Sequence, residues 1–576
     1  IHREFDLDES RWPPRQSQWF INGQKDEGKR AAHIEDYGKD LNHSTMLRVY
    51  LAYEQACDRQ GVVDFAELLL RAHELWLKQP AILQHYQERF KHILVDEFQD
   101  TNTIQYAWLR VLAGKNIPVV AVGDDDQSIY GWRGAKIENI QQYSKDFPNT
   151  QIVRLEQNYR STSTILNAAN AVIDNNTDRL GKELWTDGGE GELISVYAGF
   201  NEQDEARFIV ERIEEWVKDG HDRSSSAILY RSNAQSRVLE EAMIRGGIPY
   251  RIYGGQRFYD RLEIKNALAY MRLTNNRDDD TATERVINTP TRGIGSKTIE
   301  VIRAYAREHN QSLWRAAVNI IDNKLLPNRA SSALQGFIEM IDVMDKNTDD
   351  VTLEELADHV VNASGLIEFH KKEKGEKGQA RIENLQELVV AARQFESSDE
   401  AISPLQEFLD SAALDAGEQQ ADEFEDSVQL MTLHSAKGLE FPLVFLVGME
   451  ENLFPHKMSM EESGRLEEER RLCYVGITRA MEKLYITYAE SRRMYGNENY
   501  NSPSRFIREI PQELMQEVRL NTAISRPVSF APSHNNYAIP DTGISLGQQV
   551  YHSIFGAGTV LDFEGHGPSA RVQVNF

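Results

Sequence analysis

The chain has 576 residues, with 90 acidic against 64 basic side chains and a net charge of −26. That length calls for several domains, each with its own core, and the charge excludes a protein that binds nucleic acid over its whole surface, although a basic or aromatic channel can sit within an acidic exterior. Two cysteines, Cys57 and Cys473, exclude a disulfide framework and a cysteine-rich zinc site and point to a reducing cytoplasm, while the lack of any apolar run of 18 residues or of a secretory signal points away from the membrane.

Residues 1–91 read as polar helices, with helical apolar spacing over 46–57 and 64–76 and a break at Trp12-Pro13-Pro14. Over 92–156 strand and helix alternate: Ile93–Val95, a helix near 103–113, then Val119–Val122. The α/β pattern continues over 157–253, with strands near 193–197 and at Ala227–Tyr230 around a helix at 202–218. Residues 254–424 become helix-rich, strand-poor and charged, as an inserted domain would be. Strand signals return over 425–519, at Val428–Leu433, Leu443–Val447 and Leu484–Tyr488. The simplest arrangement is an α/β core split by a helical insertion. Residues 520–545, rich in Pro, Ser, Asn and Thr, read as a flexible linker. Over 546–576 apolar and polar residues alternate around Gly556, Gly558 and Gly565, which suggests a small β-barrel.

Several of these strands end in chemistry-bearing side chains, at the carboxyl edge where open parallel sheets bind ligands. The run HILVDEFQD at 92–100 places Asp96, able to hold Mg²⁺, beside Glu97, able to orient or deprotonate a water; a plain acidic turn is the alternative. In VGDDDQSIYGWRGA at 122–135, Gln127 stands where it can sense a phosphate. Tyr130 and Trp132 follow on a loop, where an aromatic either stacks on a base or, for Trp132, packs into a core. LEQNYRST at 155–162 puts Tyr159 and Arg160 after a strand; Arg160 either neutralises charge in phosphoryl transfer or pairs with Glu156. In MTLHSAKGLEFPLVFLVGMEE at 431–451, Thr432 and His434 end a strand, Lys437-Gly438 makes a turn and Glu440 precedes a buried strand; His434 has no metal-binding companion. EEERRLCYVGITRAMEKL at 467–484 places Arg479 late in an amphipathic helix, with Arg471 near the same face and a Leu472/Val475/Met481 core stripe. TPTRGIGSKTIEVI at 289–302 offers Gly293 and Gly295 before a helix start, either as a backbone site for a DNA phosphate or as an ordinary helix-linking turn.

Taken in this order over essentially the whole chain from about Trp12 on, these motifs resemble those of the UvrD/Rep/PcrA family of superfamily 1 DNA helicases. The resemblance implies two RecA-like parallel-sheet motor domains, the first incomplete, with helical insertions and a small Tudor- or SH3-like β-barrel at the C-terminal end. It implies ATP and Mg²⁺ as cofactors, with Asp96 and Glu97 catalytic and Gln127 coupling the ATP site to DNA. Tyr159 stacks on adenine, Arg160 and Arg479 reach the γ-phosphate, and Glu440 contacts the ribose. Tyr130, Trp132, Thr432 and His434 line the DNA path, and Gly293 and Gly295 touch duplex. Two arginines from the second motor facing carboxylates of the first would close the cleft when ATP is present. The implied activity is 3′→5′ unwinding at single-strand/duplex junctions in nucleotide-excision and mismatch repair. The implied partners are DNA repair proteins and, through the barrel, RNA polymerase.

A phosphate loop, GxxxxGK[ST], does not occur in the 576 residues; the nearest stretches are Gly-Ile-Gly-Ser-Lys-Thr at 293–298 and the Lys/Gly run at 371–378. The chain starts at Ile1 and stops at Phe576 inside a strand-like run, so it reads as a piece cut at both ends, with the phosphate loop expected before Ile1. Two rival readings follow. Taken as it stands, without the loop, the chain is a non-catalytic DNA- and protein-binding piece with no ATPase of its own; or it is the motor of a recombination helicase–nuclease, although no appended nuclease domain is visible.

Overall fold

The structure, a computed structural model, describes all residues except 3, 8–11, 37–39, 178, 347–350, 374–375, 398–401, 418–424, 462–463, 495–496, 519–548, 553–555, 565–570 and 576. The chain forms two compact units, Ile1–Arg519 and Leu520–Phe576. No helix among the described residues is long and apolar enough to cross a membrane.

The first unit opens with helices at Pro14–Asp26, Leu41–Gln60, Phe65–Lys78 and Pro80–Arg89. Their starts follow local chemistry: proline at the first helical position for the first and last, and Asp40 and Asp64 side chains accepting backbone N–H groups for the middle two. Between them a buried lysine, Lys25, is matched by Asp64 and Glu67, each at 2.7 Å.

Strands β1 (Ile93–Val95) and β2 (Val119–Ala121) pair in parallel, with Leu94 opposite Val120. One face of this small sheet, carrying Ile93, Val95, Val119 and Ala121, packs on Phe98, Tyr106 and Leu109. The helix Thr103–Ala113 that supplies two of those residues starts from a capping box between Asn102 and Gln105. On the opposite face, strand alternation leaves Leu94 76% and Val120 52% exposed.

The second sheet has seven strands: β3 (Ile194–Gly199), β4 (Ser226–Tyr230), β5 (Tyr250–Ile252), β6 (Val428–Thr432), β7 (Phe441–Leu446), β8 (Ala480–Ala489) and, after a short antiparallel pair β9 (Arg492–Met494) and β10 (Asn497–Asn499), β11 (Met515–Glu517). Their spatial order is β11-β3-β8-β7-β4-β6-β5, and every neighbouring pair is parallel. All five residues of β4 are buried, as expected of a strand covered on both faces. The register of β7 on β8 shifts between Phe441 and Leu443, at Pro442, which has no N–H to give the ladder. The core beneath includes Ile165, Leu229, Val444, Val475 and Ile486.

Between β5 and β6 the chain runs out through helices from Leu262 to Gly417, which build a separate core around residues such as Leu268, Ile320, Phe337, Val360 and Leu388. In the second unit β12 (Gln549–His552), β13 (Gly556–Glu564) and β14 (Arg571–Asn575) form an antiparallel sheet in that order. The expected linker at 520–545 and Gly565 lie outside the described residues.

Two expectations need correction. The stretch before Tyr159 is not a strand: among the described residues it makes a single bridge, Gln157 to Trp185, and Ile152, Val153 and Leu155 are exposed, because no described neighbour offers them a ladder. Arg479 is not late in a helix. That helix spans Arg465–Ile477, and Arg479 sits in the turn beyond it, where its own carbonyl receives the Phe441 N–H at 2.9 Å and starts the β7–β8 pairing.

Candidate nucleotide cleft and aromatic groove

At the carboxyl end of β1 the backbone turns sharply. Glu97 is left-handed, with φ 49° and ψ 42°, a conformation that costs a non-glycine residue energy and persists only when its surroundings enforce it. Asp96 Oδ1 accepts the Glu97 N–H at 2.9 Å, and the Gln99 side-chain amide donates to Glu97 Oε2 at 2.5 Å. The buried Gln99 also accepts the Asp124 N–H at 3.0 Å, so one side chain fastens the turn after β1 to the loop after β2. Asp96 remains exposed. An accessible carboxylate suits Mg²⁺, a hard cation that keeps several of its waters.

Gln127 donates to Asp124 Oδ2 at 2.8 Å, and Lys182 pairs with the same carboxylate. Asp124, Asp125 and Asp126 are the group of three carboxylates among the described residues close enough to share an ion, but they are already engaged. Arg179 grips Asp126 with two bonds of 2.8 Å, and the Leu180 N–H reaches Asp125 at 2.8 Å. Burial works against the Asp126 charge, yet Arg179 and Lys182 overcome it and hold its carboxyl below the ordinary range.

The predicted phosphate and sugar contacts gather on the second sheet's side. Tyr159 is 85% exposed, its hydroxyl donating to Gln157 Oε1 at 2.9 Å, so its ring is free to stack. Arg160 Nε lies 2.5 Å from Glu440 Oε2; two residues read separately from sequence are an ion pair. Arg479 is buried, and among the described residues its hydrogen bonds go to the Val475 and Leu439 carbonyls, both at 3.0 Å, and to Thr478 Oγ1 at 3.1 Å. Burial, aided by the Arg160 charge, pushes its pKa down to about 10. A guanidinium surrounded by dipoles rather than by a matched carboxylate is disposed toward an anion.

The loop that carries Gln127 continues into a second place. Ile129 is fully buried in the core under the seven-stranded sheet, anchoring the loop. Beyond it Tyr130, Trp132 and, from the turn after β6, His434 cluster, with ring centroids 6.2–6.4 Å apart. The Tyr130 hydroxyl donates to the His434 carbonyl at 3.2 Å. Trp132 is 44% exposed, not packed into a core. These rings and Thr432 line a cavity of about 340 Å³ with Arg133, Arg231 and Arg465, and the insertion contributes Gln379 and Glu383 to its wall. Thr432 Oγ1 is 2.9 Å from Ser435 Oγ. Desolvation, helped by Arg231, pushes the His434 pKa down to about 3, so the ring is neutral at ordinary pH.

Gly293 and Gly295 lie in the insertion and do not line this groove. Gly293 has φ +81°, and Asn288 Oδ1 clasps the turn by accepting the Arg292 and Ile294 N–H groups at 2.8 and 3.2 Å. Gly295 caps the helix Ser296–His309 without any side-chain bond, and an added Cβ at either glycine would meet nothing within 4 Å. The backbone here is open to a ligand.

The roles of Gln99, Arg179, Lys182 and Lys437 were not legible in the sequence, because each depends on at least one partner well separated in the chain; only the conspicuous Lys437-Gly438 turn signalled one of them. Comparison with known proteins agrees with the architecture. Residues 1–148 match the family model of the UvrD/REP helicase N-terminal domain, and residues 153–491 that of the UvrD-like helicase C-terminal domain. DNA helicase II of Salmonella typhimurium and that of Escherichia coli are each 60% identical to the chain over 576 residues, covering 100% of it and 80% of the relative. The ATP-dependent DNA helicase PcrA of Bacillus subtilis is 39% identical over 598 residues, with 100% of the chain and 80% of the relative covered. Agreement with both domain models, and identity of 60% sustained over 576 residues, makes the assignment: the chain belongs to the UvrD-like helicase family.

Proposed function

We propose that the chain is an ATP-dependent DNA helicase that travels 3′→5′ along single strands and opens duplex at junctions. The observation that carries this reading is the single loop at 122–135. It holds Gln127 beside the acidic turn at one end and Tyr130 and Trp132 in the aromatic groove at the other. In this reading Glu97 orients the attacking water, and Gln99 fixes the carboxylate that does so. Asp96 would hold Mg²⁺, which when bound neutralises charge on the phosphate oxygens. Arg479 and Arg160 face the γ-phosphate; Arg160 exchanges Glu440 for it, which frees Glu440 for the ribose, while Tyr159 stacks on adenine. Thr432 and His434 follow the strand beside Trp132, and the turn at Gly293 and Gly295 receives a duplex phosphate through its backbone.

The corresponding domain assignment is a first motor at 92–156 with its insertion at 1–91, a second motor at 157–253 and 425–519 with its insertion at 254–424, a linker at 520–545 and a barrel at 546–576. Family resemblance supports the direction of travel, the setting in cytoplasmic nucleotide-excision and mismatch repair, and contacts with repair proteins and RNA polymerase.

Phosphate release with and without oligo-dT tests the reading. Joined to a phosphate loop, the motor should hydrolyse ATP in response to DNA, and there Glu97→Gln should lower turnover by roughly 100-fold or more, as loss of an acid–base group does, with ATP affinity little changed; the 576 residues alone, which contain no GxxxxGK[ST] stretch, should show no turnover. Binding of oligo-dT without any turnover even when a phosphate loop is supplied would instead favour the non-catalytic DNA-binding reading.

A further inference from the structure

We infer that Lys437 is a positioning residue that ties the acidic turn after β1 to the aromatic loop, so that a change at Glu97 is felt at Tyr130 and Trp132. The inference rests on the roles proposed above for Glu97 and for the groove.

An ammonium has three hydrogens to place and accepts none. Those of Lys437 have three acceptors, all on the opposite side of the cleft from its own sheet: Asp100 Oδ2 at 2.6 Å, the Gln127 carbonyl at 3.0 Å and Glu97 Oε2 at 3.2 Å. The remaining direction is covered by the Tyr130 ring, whose centroid is 5.3 Å away. The side chain is buried, so its charge depends on these partners rather than on water. Gly438, at φ +83°, lets the chain turn immediately after it.

The contacts close a ring. Lys437 holds the Gln127 carbonyl; three residues on, Tyr130 donates its hydroxyl to the His434 carbonyl; and His434 stands three residues before Lys437 on the same turn. The aromatic loop is therefore held at two points by one short segment, and one of those points is shared with Glu97. Two carboxylates and a carbonyl divide a single cation. When one carboxylate changes its charge or turns to another partner, the ammonium redistributes among the rest, and the Gln127 carbonyl moves with it. Nothing else balances Asp100 in the lysine's place: its Oδ1 is buried with no hydrogen-bond partner among the described residues, and Asp100 and Glu97 would repel each other once the cation was withdrawn. Arg160 and Arg479 make their contacts within the second sheet's side, so neither spans the cleft in this way.

A double-mutant cycle tests the link in the full chain. Glu97→Gln, Lys437→Met and the combination are compared for oligo-dT affinity without nucleotide and for amide hydrogen exchange over residues 127–133 without DNA. Glu97→Gln should shift affinity by about threefold or more, and exchange in the loop by a similar factor, in the presence of Lys437. Both shifts should vanish when Lys437→Met is added. If Lys437→Met does not fold, Lys437→Gln, which keeps donors but loses the charge, runs the same cycle. Shifts of equal size with and without the lysine, or no shift from Glu97→Gln in the otherwise unaltered chain, would overturn the inference. A chain that bound no oligo-dT would remove the DNA reading instead, and loop exchange would still decide the coupling.

Discussion

Trp132 and His434 face the same groove, yet their side chains respond to different physics. Trp132 already exposes 44% of its surface, so truncating it removes little packing. Stacking on a base is worth about 1–3 kcal/mol, so Trp132→Ala should weaken oligo-dT binding roughly tenfold or more while leaving the melting temperature nearly unchanged. Fluorescence anisotropy and a thermal melt on the same preparation check this, and a large loss of stability at constant affinity would return Trp132 to the core. His434 is governed by desolvation. Its folded pKa of about 3 lies below that of an unfolded histidine, near 6.5, so the unfolded chain takes up a proton first as the pH falls. Stability from this group is therefore complete above about pH 6.5 and is lost progressively between about 6.5 and 3. His434→Gln should flatten the dependence of the denaturation midpoint in that window. Ring NMR shifts should show His434 neutral from pH 5 to 8, so DNA affinity should have no step there that His434→Gln abolishes.

At the scale of elements, the turn before the helix Ser296–His309 separates backbone strain from ligand contact. Gly293 occupies a left-handed conformation, so Gly293→Ala should cost about 1 kcal/mol of stability. Gly295 has ordinary dihedrals and open space at its Cβ position, so Gly295→Ala should leave melting unchanged. If the helix start receives a phosphate, the added methyl should still weaken junction binding, by about two- to fivefold, against little change for single strands; gel-shift titrations with both DNAs decide. The same scale shows what was legible. Strand Ile93–Val95 and helix Glu202–Lys218 fell where apolar periodicity put them, because local pattern and burial agree there. The Ile-Val-Arg-Leu run before Tyr159 has strand character but no partner, and pairing cannot be read locally. Arg479 was drawn into the preceding helix by its spacing, whereas Thr478 ends that helix and the arginine folds back onto the Val475 carbonyl. Asp96, Glu97 and Thr432 were visible as contiguous runs of strand followed by polar side chains. Lys437, Lys182 and Arg179 were not, since a lysine or arginine shows its role only through carboxylates that the fold brings from far along the chain.

For the whole molecule, the net charge of −26 confines nucleic acid to places where arginines gather, and Arg133, Arg231 and Arg465 all border the aromatic groove. With about two phosphate contacts on a single strand, since Arg231 is already tied to Glu469, oligo-dT affinity should fall roughly sevenfold between 50 and 200 mM salt; a titration series gives the slope, and a near-zero slope would mean that the arginines do not meet phosphates. The order of strands in the seven-stranded sheet has a consequence in time rather than in space. The three strands that come first in the chain, β3, β4 and β5, are never neighbours: β3 lies between β11 and β8, β4 between β7 and β6, and β5 at the edge beside β6. Every ladder in the sheet therefore needs at least one strand that follows the helical insertion. During synthesis, at about 5–20 residues per second, the insertion emerges and can bury its own core while three apolar segments wait without partners. The sheet can begin only when Val428 and the residues after it appear. That interval is when the chain is most open to wrong pairing and most in need of a chaperone.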